Sequence, residues 1–192
     1  MIIDGILMAS AIAVSGAIMV LSDWKLRMIC LSILQLIAFL LIVQIWPVAL
    51  AAVKLISGWI GITIISATLV TSEKTTGTDE SMPFRLYKLA FVGLSWVAIL
   101  VLVQQLNVWL PISFTNLFTG MVFFLCGILF LSIHGEMIET IIGLYILLAG
   151  FDIIYSSLEG SALVTGIYAV ILILISILGS YLHGGFSSRR ES

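Results

Sequence analysis

Apolar residues run along this chain in blocks of about 20, the length a helix needs to cross roughly 30 Å of hydrocarbon at 1.5 Å per residue. The blocks fall at residues 2–21, 28–46, 47–70, 84–106, 114–133, 138–158 and 161–182. Each is read as a membrane-crossing helix, because in oil every backbone amide must find its partner within the segment. Two joints are very tight. Pro47 follows Trp46 directly, where proline suits a first helical turn, and Gly160 follows Glu159, where glycine permits a sharp reversal. The long polar stretch, 71–82, is too short for a domain and reads as an extramembrane linker.

Composition makes a soluble alternative untenable. Of 192 residues, 61% are hydrophobic and 9% charged, and the mean hydropathy is +1.26; an ordinary soluble domain is about a quarter charged. The few charges could not coat the surface of a chain this size in water. The expected fold is an all-α integral membrane protein of about seven transmembrane helices. The first block resembles a signal peptide only in length, since Asp4 stands where a basic start belongs and no small-residue cleavage site follows, so it is read as a retained helix. Cys30 and Cys126 fall inside apolar blocks and are read as packing residues.

Threading seven spans separates the charges by side. Lys25, Arg27, Lys74, Arg85, Lys88, Arg189 and Arg190 share one side, while the opposite connections hold only Asp4 and Glu159. The positive-inside bias makes the first side cytoplasmic, with the N-terminus outside and the C-terminus in the cytoplasm. The expected location is a prokaryotic plasma membrane, with a thylakoid as the alternative. Trp46 and Trp109 at outer span ends, and Trp24 at an inner one, fit interfacial anchoring.

The chain also repeats internally. The stretch from Ser15, SGAIMVLSDWKLRMICLSILQL, aligns with that from Cys126, CGILFLSIHGEMIETIIGLYIL, at an offset of about 111. Residues 47–67 align with 160–180 at an offset near 113. The implied plan is 3+1+3: a three-helix repeat over 1–70, a cytoplasmic loop with a linking helix over 71–113, and a second three-helix repeat with a short cytoplasmic tail over 114–192. One odd linking helix makes the repeats parallel, related by an axis along the membrane normal.

Charges inside spans are costly, so they are the strongest functional pointers. Lys54 lies about seven residues inside the third span and Asp152 about six from the end of the sixth, both roughly 10 Å below the outer surface. Matched depth and opposite sign predict an ion pair or a water-bridged contact. The plainer readings are a snorkelling Lys54 and an Asp152 hydrogen-bonded to Tyr155 or Ser156. The functional reading is a proton relay, since both groups can exchange protons in a low dielectric. Glu136 and Glu139 complement the dipole of the sixth helix, or form a cytoplasmic inlet for protons. Gln35 and Gln44, Asn116 and Thr165 read as interhelical glue ahead of pore lining, with Gln35 retained as a proton-path candidate beside Lys54, Asp152 and Glu139. Gly58, Gly61, Gly143 and Gly150 permit close helix approach.

Soluble catalytic signatures are absent: there is no phosphate-binding glycine loop, no metal-spaced Cys or His cluster, and neither His134 nor His183 lies in a predicted span. No cofactor, metal or nucleic acid is expected, and the last span carries no lysine for a retinal Schiff base. The segment CGILFLSIHGEMIETIIGLYILLAGFDIIY resembles the K-type small membrane subunit of respiratory complex I, and the chain over nearly its full length resembles the E component of membrane-bound hydrogenase and formate hydrogenlyase complexes. Lys54, in LAAVKLISGW, sits where that component has a third-span lysine, and Gly143 and Gly150 match glycines of its sixth-span motif. Where the relatives have a carboxylate this chain has Leu148; Asp152 stands one turn later on the same face, and the basic loop before that helix is altered to His134-Gly135-Glu136. The resemblance implies a small subunit of a complex I-like or multisubunit cation/proton antiporter-like assembly, without a catalytic site of its own, that scaffolds large antiporter-type membrane subunits or also contributes to a proton path; the two departures favour the scaffold at least as much as the conducting role. The alternative is a stand-alone seven-helix small-solute carrier, although Pro47, Pro83 and Pro111 all lie at helix starts and supply no mid-helix hinge.

The charge separation has a direct check. A membrane-impermeant amine reagent should label Lys25 and Lys74 from the same face of sealed vesicles, and labelling from opposite faces would refute the threading.

Overall fold

The computed structural model describes residues 2–71, 82–133 and 135–190. Seven helices account for nearly all of them: α1 (Ile2–Val20), α2 (Trp24–Ile42), α3 (Val48–Thr71), α4 (Met82–Leu106), α5 (Phe114–Ile133), α6 (Met137–Leu158) and α7 (Ala162–Arg190). Helices α2 to α7 each carry an apolar stretch long enough to cross a bilayer, and α1 contributes the shorter apolar run Asp4–Val20. This is an all-α integral membrane protein in a 3+1+3 order.

Local chemistry moves several boundaries away from the hydropathy blocks. Helix α2 starts four residues early because Asp23, in an extended conformation, accepts a hydrogen bond from the Lys25 amide at 3.0 Å. Lys25 and Arg27 are therefore in the first turns of a helix. The same helix ends at Ile42, and residues 43–46 form a turn before Pro47. Glu136 is the N-cap of α6 and only Glu139 lies in its first turn. The tail expected after residue 182 continues α7 as helix to Arg190, which brings His183 into the helix. His134 lies outside the described residues. At the α6–α7 joint the reversal is made by Glu159, which is extended with φ −144°. No described residue has a positive φ, so Gly160 is not needed there for its conformational freedom.

The helices form two rows. In one, α1, α2 and α3 follow in sequence; in the other, α5, α6 and α7 do. The rows stack so that α1 packs on α5, α2 on α6 and α3 on α7, and α4 closes the end where α1 meets α5. Two rows related by an axis along the membrane normal would set α1 against α7. The observed pairing is a lateral displacement, which corrects the expected symmetry and has a simple consequence: equivalent residues face one another. Cys126 Sγ donates to Ser15 O across 111 positions, Arg27 pairs with Glu139 across 112, and Trp46 Nε1 donates to Ser156 O across 110. These separations track the repeat offset read from the sequence.

The tightest contact is between α5 and α6. A Cβ on Gly127 would sit 2.5 Å from the Leu147 backbone nitrogen, and one on Gly150 would sit 2.6 Å from Gly120 O. Gly120 and Gly127 of α5 thus face Gly150 and the backbone of α6 at intervals of seven residues, which lets two backbones approach as small residues do in oil. Around this seam the largest buried rings, Phe118, Phe123 and Phe130, join Tyr145 in one apolar core. Only 22% of the membrane-length window of α4 is buried inside the chain, against 56% in α5 and α6, so α4 turns most of its apolar surface outward.

A glycine series separates close packing from mere helix propensity. Gly150→Ala should lower stability by about 2–3 kcal/mol through overpacking, whereas Gly166→Ala, where nothing lies within 4 Å, should raise it by roughly 0.5–1 kcal/mol; denaturant-induced unfolding in mild detergent measures both.

Candidate functional site

Among the polar groups enclosed between the rows, Lys54 and Asp152 are a buried pair of opposite charge. Lys54 lies on α3 about two turns after the Pro47 joint, and Asp152 on α6 about two turns before the Glu159 joint. Lys54 Nζ donates to Asp152 Oδ1 at 2.6 Å, and their side chains are only 4% and 5% exposed. Lysine does not snorkel here; its ammonium is held inside.

Aromatic rings close around the ammonium. It lies 4.3 Å from the Trp46 ring centroid and 5.7 Å from that of Tyr168, both within cation–π range. Trp46 is itself locked, because Nε1 donates to Ser156 O at 2.8 Å. The Ser156 hydroxyl donates to Asp152 O rather than to the carboxylate, and the Tyr155 hydroxyl goes to Glu159 Oε2 at 3.1 Å. The carboxylate therefore depends on Lys54 and not on those neighbouring hydroxyls. The predicted role of Trp46 as an interfacial anchor is corrected: it is buried, 6% exposed, and forms one wall of the charge site. Trp109, in contrast, is among the most exposed side chains. A cleft of about 380 Å³ opens at the tight-joint end, lined by Trp46, Pro47, Leu50, Ser156 and Glu159 among others.

Toward the opposite end the polar character continues. Gln35 of α2 packs against Gly58 of α3, where a Cβ would come within 3.1 Å of the Gln35 carboxamide carbon. Tyr168 of α7 is buried, with its ring on the side of the Lys54 ammonium. One level further, the Tyr145 hydroxyl donates to Leu172 O at 3.0 Å and meets Ser176 Oγ at 2.5 Å. A Cβ on Gly61 would overlap that hydroxyl. The α3 glycines thus make room for polar side chains, not for a second backbone; of the predicted close-approach glycines, Gly143 and Gly150 contact α5.

The remaining candidates separate. Arg27 Nη1 donates to Glu139 Oε1 at 2.7 Å, and the guanidinium also bonds Leu21 O and lies 5.6 Å from the Phe130 ring centroid. Glu139 and Asp152 are thirteen residues apart on α6, about 20 Å of helix. They belong to two sites toward opposite ends, with Gln35 nearer the Lys54–Asp152 pair. Asn116 bridges to Ser157 Oγ at 3.4 Å as helix glue, Thr165 bonds back to Ser161 O on its own helix, and Gln44 is exposed after the end of α2. Lys88, counted among the cations of the basic side, is 1% exposed on α4.

Sequence reasoning missed Trp46, Tyr168, Tyr145 and Ser176 as parts of the site. The spacing of Tyr168 and Ser176, eight residues on one helix, was a usable signal, because positions four and eight apart share a face. Chemically, a carboxylate held by one ammonium and otherwise walled by rings can take up or release a proton as that ammonium moves. No protein family, curated protein or solved structure matches the chain.

Pair energetics give a testable asymmetry. Asp152→Ala should cost about 3–5 kcal/mol, because it strands a buried ammonium, and Lys54→Met combined with Asp152→Leu should recover most of that loss. Unfolding midpoints of the single and double variants in detergent measure it, and equal losses in both would show that the pair is not the cause.

Proposed function

We propose that this chain is a small membrane subunit of a complex I-like or multisubunit cation/proton antiporter-like assembly, in which Lys54 and Asp152 contribute to the proton path. The observation that carries this reading is the enclosed Lys54–Asp152 contact inside a largely apolar membrane bundle. Burying two charges in oil is costly even when they pair, and an apolar pair would hold α3 and α6 together at lower cost. A retained charge pair at membrane depth therefore points to ion handling. The similarity of CGILFLSIHGEMIETIIGLYILLAGFDIIY to K-type subunits supports the same reading. So does the small size of the bundle, with the outward apolar face of α4 available to a large partner subunit or to lipid.

The reading predicts company. Purified from its own membrane in mild detergent, the full chain should bring along large multi-span subunits in fixed proportion, and vesicles of that assembly should move protons. Asp152→Asn and Lys54→Ala should each slow proton movement at least about tenfold without altering subunit content. A chain that is monodisperse alone and carries a small solute would replace this reading with the carrier; an assembly that pumps normally with both substitutions would leave the pair a structural role only.

A further inference from the structure

We propose that the Lys54–Asp152 pair is joined to the basic end of the bundle by a water-threaded line of side chains running down α7, formed by Tyr168, Tyr145, Ser176, Ser180 and His183. The inference deepens the proton-path reading above and rests on it.

Position is the first argument. Tyr168, Ser176, Ser180 and His183 recur at intervals of eight, four and three residues, one face of α7. The Tyr145–Ser176 contact and the fit of Gly179 against Ile141 turn that face to α6. Tyr168, which is buried, places its ring centroid 5.7 Å from the Lys54 ammonium and so reaches the ion pair. Consecutive helices joined by a tight turn run antiparallel, so counting away from the Tyr145–Ser176 contact brings α6 to Glu139 and α7 to His183 at the same depth. Near that depth Arg27 and Glu139 form an ion pair. The line thus runs from the Lys54–Asp152 pair toward the depth of the Arg27–Glu139 pair.

Hydrogen bonding is the second argument. Among the described residues four buried side-chain atoms lack a protein partner, and three of them border this line: Gln35 Nε2, Ser180 Oγ and His183 Nε2. A polar atom in oil without a partner costs several kcal/mol, and a buried water with two to four polar neighbours is the usual remedy. One helical turn, about 5.4 Å, separates Ser176 from Ser180 and nearly one separates Ser180 from His183. That spacing is too long for a direct bond and suits one bridging water. Gly61 leaves the space that Tyr145 and Ser176 occupy, so the line is sterically permitted by the α3 glycine.

The transfer balances without any redox partner. A proton taken up at His183 Nε2 passes to the bridging water and then to Ser180. Each oxygen on the way, bridging waters included, accepts one proton as it releases its own, through Ser176 and Tyr145 and then across water beside Tyr168, until the Asp152 carboxylate accepts the last. Every hydroxyl ends as it began, reoriented, and one proton has moved.

The test uses the assembly isolated with the full chain, in vesicles enclosing a pH-sensitive dye. Tyr145→Phe and Ser176→Ala, which remove one oxygen each, should slow proton flux at least about tenfold at unchanged melting temperature and subunit content. Ser95→Ala, an exposed hydroxyl on α4, should leave flux unchanged. Flux at the wild-type rate in both line variants, with Asp152→Asn still blocked, overturns the line and spares the proposed function; no flux from the wild-type assembly overturns both. A second measurement does not depend on any variant folding. Radiolytic hydroxyl labelling of the wild-type protein should modify buried Tyr145 and Tyr168, which lie against water, and spare buried Phe118 and Phe123. Tyrosines as unreactive as those phenylalanines overturn the proposal.

Discussion

Hydrocarbon supplies no hydrogen bonds, and that single property of the solvent organises everything else in this molecule. Backbone amides are satisfied inside helices, so the chain is helical almost throughout its described length. Polar side chains are satisfied in two ways. Serine and threonine hydroxyls turn back to carbonyls of their own helix, whereas the charged groups find their partners on another helix, where helices meet across the two rows. Arg27 with Glu139, Ser15 with Cys126, Trp46 with Ser156 and Lys54 with Asp152 are all contacts between a first-half and a second-half helix. The rows are held in register by polar contacts at several depths and by close glycine packing between α5 and α6.

That register explains why the charge site forms where it does. The repeat shifts each helix sideways onto its own counterpart, which brings equal depths face to face. Lys54, early in α3, and Asp152, late in α6, meet because both are counted from tight joints at the same end of the bundle. Trp46 sits in one of those joints, and its bond to Ser156 O ties the two joints together over the ammonium. A rotational relation between the halves would have set α3 against α5 and left the lysine facing a helix whose first turns offer Asn116 and no acid. Topology, more than any local sequence preference, chose the partner.

Glycine serves two ends in this fold. In α5 and α6 it removes side chains so that backbones can approach, which is a packing function with dispersion as its reward. In α3, Gly58 and Gly61 remove side chains so that Gln35, Tyr145 and Ser176 can occupy the interior. The first kind makes the bundle rigid; the second keeps a polar seam between α3, α6 and α7. Both look alike in a sequence, since each is a glycine in an apolar block.

The amino-acid sequence by itself determined the solvent, the helix count and order, the repeat offset and the matched depth of Lys54 and Asp152, because hydropathy and spacing along one chain are one-dimensional quantities. Boundaries shifted only where a local device intervened, as with Asp23 capping α2 or Glu159 turning the chain without help from Gly160. The tertiary structure alone decided that the halves stack by displacement, that Trp46 faces inward over Lys54, that Glu139 belongs with Arg27, and that Tyr145 meets Ser176. Those are facts about which faces of helices touch, and a helix in oil carries apolar residues all round, so its hydropathy contains no signal for which face is buried against which neighbour.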